Sequence, residues 1–258
     1  MMNDATMAYP AAETGVAERA ARVDLAACYR LLAHYGMTDL IFTHVSARVP
    51  GRHDQFLINP FGLLFDQITA SSLVKIDCDG NVVEDSPYAV NKAGFVIHSA
   101  IHLARPEVAC VLHTHTRAGM AASCLEDGLL PLTQTALQLF GTVAYHDYEG
   151  AAVNLDERAR LAADLGDKYA LILRNHGLLT VGRTIPEAFE LMFNLERACQ
   201  VQLDVLACGS VIRQPPPEVV ERHAARDFAS ANGGQPRGSR AWPALLNMLD
   251  AEDSSYRT

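Results

Sequence analysis

The sequence predicts a soluble α/β protein, and three observations lead there. Apolar runs of strand length, such as 108–115 and 169–173, alternate with segments whose apolar residues recur at helical spacing. Hydrophobic residues make up 49% of the 258, enough to bury a full core as one domain, or one domain plus a tail. No apolar run reaches the roughly 18 to 20 residues of a membrane span. The net charge of −9 carries no basic cluster, so neither nucleic acid nor an anionic membrane is an expected partner. The six cysteines form no C-x-x-C pair and sit mostly inside apolar runs. Buried free thiols in a reducing compartment explain that spacing better than disulfides do. The first residues lack a basic region followed by an apolar stretch, so a cytoplasmic location is expected.

Taken in order, residues 1–15 are small and polar and read as a flexible N-terminus. Apolar spacing predicts a helix over 16–34, closed by Gly36. Residues 43–49 and 55–59 alternate like strands across the turn 50–54, and a helical turn near Thr69 precedes a strand at 73–76. A helix over 91–104 stops before Pro106. A strand at 108–115, a helix at 117–124, a strand at 143–146 and a helix at 155–165 follow. Strands at 169–173 and 178–181 then lead to the longest helix, 185–207, with Thr184 as N-cap and Pro186 in its first turn. The domain is expected over 16–209. Pro-rich and Gly-rich stretches mark 210–258 as a looser tail, whose Trp242, Leu245 and Leu249 could dock on the body or on a neighbouring subunit.

Chemistry concentrates in the histidines. His113 and His115 flank Thr114 at the end of a predicted strand. A strand has period two, so both imidazoles leave one face, close enough to chelate one ion. His176 sits beside Gly177 at the end of another apolar strand, where a third imidazole could converge. Three neutral imidazoles suit zinc first, with iron(II) or manganese as alternatives, and leave positions open for water or substrate. Spacing alone allows a second account, two strand histidines hydrogen-bonded to backbone. Spacing alone does not single out His176.

Five segments carry a resemblance: GMTDLIFTHVSAR at 36–48, FLINPFG at 56–62, NKAGFVIHSAIH at 91–102, HTH at 113–115 and LRNHG at 173–177. Together, and in this order, they resemble the class II aldolase/adducin family; WPALLNMLD at 242–250 also resembles the closing segment of the adducin-like branch. The resemblance implies a three-layer αβα fold with a central, mainly antiparallel sheet. It also implies a homotetramer with sites between subunits, and His113, His115 and His176 as ligands of a divalent metal. Two departures stand out. Family sugar-phosphate enzymes carry an acidic residue four positions before His98, as fourth ligand or base, where this chain has Gly94. Their phosphate-wrapping loops read here as Phe42, Thr43 and His44, and as Phe61 and Gly62, which argues against a phosphorylated substrate.

The same comparison offers His44 as a substrate-facing or proton-transferring residue and Tyr148 as a proton donor reaching a neighbour's site. It offers Phe61, Gly62 and Gly94 as lining. Arg174, next to His176, could clamp a substrate carboxylate, though a surface ion pair would explain it as well. His98 and His102, four apart on one helix, face the same way; they are read as a support behind the site and a packed residue. Three activities are open. The first is a metal-dependent lyase of decarboxylase or aldolase type acting on a small oxo- or hydroxy-acid. The others are a non-haem iron oxygenase and a silent adducin-like scaffold. The basic tail by which adducins engage actin is absent from this sequence, so actin binding rests on family analogy alone.

Overall fold

A computed structural model describes residues 11–150, 155–225 and 235–258. Part of the expected flexible N-terminus, 1–10, lies outside the described residues. The first helix, α1 (Ala11–His34), starts earlier than apolar spacing suggested. It ends as the sequence implies: Gly36 takes φ +68°, and the Met37 amide turns back to the Leu32 carbonyl at 2.8 Å. Strands β1 (His44–Arg48), β2 (Gln55–Ile58) and β3 (Val74–Asp77) follow as an antiparallel meander. Next come α2 (Lys92–Ala104), β4 (Cys110–Thr114), α3 (Arg117–Ser123), α4 (Gln134–Leu139) and β5 (Val143–His146). The chain continues through α5 (Glu157–Leu165), β6 (Ala170–Leu173), β7 (Gly177–Gly182), α6 (Ile185–Ala207), α7 (Pro217–Ala224) and α8 (Trp242–Glu252). Thr184 caps α6 by accepting from the Glu187 amide at 3.2 Å.

The seven strands form one sheet in the order β3-β2-β1-β4-β7-β6-β5. Every pairing is antiparallel except β5 with β6, so the sheet is mixed and mainly antiparallel, as the resemblance implied. Helices α1, α3, α4, α6 and α8 share the larger core with one sheet face, and α2 and α5 cover the other. The fold is thus three-layered. Strands β4, β6 and β7 are buried on both faces, which is why their runs are continuously apolar rather than alternating.

The tail is less loose than its prolines suggested. Helix α8 docks on the chain's own α1: Trp242 is buried and its Nε1–H donates to Asp24 at 3.0 Å. Beyond it, Tyr256 is fully buried, and the Ala70 and Ser71 amides donate to the Tyr256 and Thr258 carbonyls, each at 2.8 Å. Phe189 on α6 packs against Trp242 with ring centroids 5.9 Å apart. Cys28, Cys78, Cys110 and Cys199 are buried free thiols, whereas Cys124 and Cys208 are exposed. Among the described residues, no helix is long and apolar enough to cross a membrane.

Candidate metal centre

The centre forms where β4 and the β6–β7 turn meet. His113, the fourth residue of β4, pairs in register with Leu179 on β7 and with His44 on β1. Its Nδ1 lies 2.9 Å from the Leu178 carbonyl, which can only accept, so Nδ1 carries the proton and Nε2 a bare lone pair. His115 stands one residue past the end of β4, and its Nδ1 donates to Asp39 Oδ2 at 2.9 Å. That bond leaves its Nε2 bare as well. His176 sits in the turn between β6 and β7, held by its amide to the Leu173 carbonyl at 3.1 Å.

The LRNHG motif has a physical reading here. Asn175 takes φ +56°, a left-handed conformation that Asn tolerates better than most residues. At Gly177 a Cβ would collide with the Thr114 carbonyl oxygen. The turn can close on β4 only because that residue has no side chain, and closing it brings His176 to His115.

The three Nε2 atoms converge: His113 to His115 and His115 to His176 are each 2.9 Å. Two of them are acceptors by the bonds already named. Burial holds His113 well below the usual imidazole range and, as the largest cause, pushes His176 down to about 4. Bare lone pairs this close repel one another, and a cation capping all three nitrogens would relieve that repulsion. A set of three imidazoles, two of them fixed by outer partners with Nε2 bare, fits a divalent transition ion. Among the described residues this is the one His/Cys/Asp/Glu group arranged to hold such an ion.

Behind the triad runs a buried polar chain. His44 Nδ1 meets His98 Nε2 at 2.8 Å, His98 Nδ1 meets Ser46 Oγ at 2.6 Å, and Ser46 Oγ meets His102 Nε2 at 2.8 Å. His44 and Ser46 share a strand face; His98 and His102 share a helix face. His102, expected as a packed residue, is packed and also ends this chain. The His44 ring lies 5.2 Å from that of His113 and fills the space beside Gly94: a Cβ at 94 would be 2.7 Å from His44 Cδ2. The position of the missing acid is occupied by an imidazole.

Phe42 and Phe61 stand half-exposed with centroids 6.5 Å apart, on the segments before β1 and after β2, and Gly62 turns between them and Leu63 with φ +107°. Tyr148, expected to reach a neighbour's site, stands 6.5 Å from its own chain's His176 and is 57% exposed. The Arg174 guanidinium lies 4.4 Å over the Tyr145 ring and donates through Nη1 to the Leu125 carbonyl at 2.6 Å. Sequence reasoning missed Asp39, whose signal was its place in the 36–48 motif, and Ser46, whose signal was the strand period linking it to His44.

The class II aldolase and adducin N-terminal domain family matches residues 23–203. A class 2 aldolase protein of Pseudomonas aeruginosa is 52% identical over 253 residues, 95% of each chain. Rat (Rattus norvegicus) alpha-adducin is 42% identical over 93% of this chain, which spans only 34% of that protein. Among solved structures, an aldolase II superfamily protein from Pseudomonas syringae superposes with TM-score 0.88 at 49% identity, covering 94% of this chain and 96% of that one. An L-fuculose 1-phosphate aldolase from Glaciozyma antarctica superposes with TM-score 0.82 at 31% identity, covering 98% of each. The three-layer fold, the triad and the extent of these matches agree: this chain belongs to the class II aldolase and adducin N-terminal domain family.

Proposed function

We propose that this protein is a metal-dependent carbon–carbon lyase acting on a small, non-phosphorylated oxo- or hydroxy-acid. The observation that carries it is the meeting of three imidazole Nε2 atoms, two of them with their far nitrogens already bonded. His113, His115 and His176 would hold the ion, with zinc the first candidate and iron(II) or manganese the others. The ion's contribution when bound is that of a Lewis acid drawing electron density from a substrate oxygen. With Gly94 in place of a carboxylate, no side chain there abstracts a proton from carbon. Decarboxylation suits such a site, because carbon dioxide leaves without prior deprotonation. The Tyr148 hydroxyl or His44 would then return a proton to the electron-rich carbon. Phe42 and Phe61 offer apolar surface where a phosphate would need donors.

Proton-balanced turnover is the test. Protein loaded in turn with zinc, manganese and iron(II) should release carbon dioxide or an aldehyde from some member of a panel of oxo- and hydroxy-acids. It should leave phosphorylated ketoses intact, and His176→Ala should abolish the reaction. Cleavage of a phosphorylated ketose in preference to the acids would overturn the substrate reading. A second reading, a silent scaffold, is favoured by one observation: the alignment with adducin covers 93% of this chain. Metal binding without turnover on any panel member would support it, and oxygen consumption by the iron form would instead support an oxygenase. We further propose a homotetramer, with 16–209 as the catalytic domain and 210–258 docked on it; sedimentation as a 28.0 kDa species at micromolar concentration would refute the tetramer.

A further inference from the structure

The three ligands of the proposed centre are not held alike. His113 lies inside β4, with its backbone paired on both sides and its Nδ1 on a main-chain carbonyl. The sheet itself orients that ring. His115 is one residue beyond the strand, where the ladder no longer constrains it, and its imidazole is partly open to solvent. The partner of its Nδ1 is the Asp39 carboxylate, at 2.9 Å. A carboxylate on the far nitrogen does two things that a carbonyl does less well. It fixes the tautomer through a charge-assisted bond, and it makes the ligating nitrogen more basic.

The backbone around Asp39 is unusual. Leu40 and Thr43 both adopt positive φ, +49° and +66°, which side chains branched or bulky near the backbone rarely accept. Between them the Phe42 amide donates to the Asp39 carbonyl at 2.8 Å, and Asp39 and Phe42 form an isolated antiparallel bridge. This tight turn feeds directly into β1, whose first residue, His44, pairs with His113. The place of Asp39 is therefore set by the same strand pairing that sets His113. The carboxylate and the imidazole meet although 76 residues separate them.

We propose that Asp39 is the positioning residue of the metal centre, holding His115 with its proton on Nδ1 and its Nε2 lone pair turned toward His113 and His176. Asp39 is not itself a ligand: its oxygen binds the nitrogen opposite the one that faces the other two histidines. The proposal rests on the metal-binding reading of the triad. Asp39→Asn keeps an acceptor oxygen of the same reach but removes the charge; Asp39→Ala removes both. Zinc affinity is measured by chelator competition at fixed pH for the wild type and both variants, alone and combined with His115→Ala. The cobalt(II) visible spectrum provides a second readout of ligand geometry.

Outer-sphere partners of metal-bound histidines govern affinity by about 10- to 100-fold. Asp39→Asn is expected near the lower figure and Asp39→Ala near the upper, with a shifted cobalt band. The urea midpoint of the metal-free protein should be unchanged. In the His115→Ala background both Asp39 changes should become silent to within about threefold, because the carboxylate acts through that ring. Wild-type affinity in Asp39→Ala, or an equal loss with and without His115, would overturn the positioning role while leaving the triad intact. Wild-type protein that takes up no divalent ion would overturn the metal reading itself, and this inference with it.

Discussion

Adding one methyl group at Gly94 tests the packing that replaced the family's acid. Gly94 lies in the first turn of α2, where Ala is ordinarily favoured over Gly by about 1 kcal/mol. Here the added Cβ would stand 2.7 Å from His44 Cδ2 and 2.9 Å from Cγ. Carbon atoms prefer roughly 3.5–4.0 Å. The imidazole has little room to retreat, since its Nδ1 is bonded to the buried His98 and its ring lies against His113. Overpacking of a full core costs about 1–3 kcal/mol, which outweighs the helix gain. Gly94→Ala should therefore destabilise the metal-free protein by about 1–2 kcal/mol. In a His44→Ala background the collision is gone, and the same change should stabilise by about 0.5–1 kcal/mol, close to the helix-propensity difference. The double-mutant cycle thus has an expected coupling of about 2 kcal/mol, read from urea unfolding of four proteins. Gly94→Ala at or above wild-type stability with His44 present would refute the claim that the ring fills this space. It would also reopen the position to a carboxylate.

Other perturbations follow from the same geometry. Asn175→Val, placing a β-branched residue at φ +56°, should cost about 1–2 kcal/mol and weaken zinc binding, whereas Asn175→Gly should leave both nearly unchanged; urea unfolding and chelator competition distinguish them. Gly177→Ala, driving a methyl into the Thr114 carbonyl, should lower the melting temperature and loosen the triad, seen as weaker zinc retention on dialysis. Burial holds His102 neutral in the fold, its pKa pushed down to about 3 from 6.5. The unfolded chain takes up that proton below 6.5, so this contribution is intact above pH 6.5 and is lost progressively as pH falls toward 3. At pH 5 the loss is about 2 kcal/mol, and His102→Gln should flatten that part of the stability–pH curve.

Much of the fold was legible because its strongest signals are local. The strand at Val143–His146 and the helix at Ile185–Ala207 match their expected bounds, since a Thr cap, an early proline and unbroken periodicity all agree there. Helices α4, α7 and α8 were not anticipated: the first two are only 6 and 8 residues long, and α8 follows Pro- and Gly-rich sequence that masks its packing. The triad was legible in part. His113 and His115 announce themselves by strand period, while His176 needed the resemblance. Asp39 and Ser46 were hidden for a different reason: each acquires its role from a partner more than 50 residues away. Arg174 likewise has partners that the sequence does not announce, an aromatic ring beneath its guanidinium and a main-chain carbonyl.

The order of strands in the sheet also constrains when the centre can come into being. His113 finds the Leu178 carbonyl 65 residues later, His115 meets His176 across 61, and Asp39 meets His115 across 76. Each of these is a long loop to close, and such contacts form slowly because chain entropy must be lost before they reward it. An ion therefore has no assembled nest to enter until β1, β4 and β7 have found their registers. It cannot nucleate the chain as ions do in small zinc modules. An ion taken up by the triad would arrive at a finished sheet and retard its opening, so metal uptake should lengthen the unfolding time far more than it shortens the folding time.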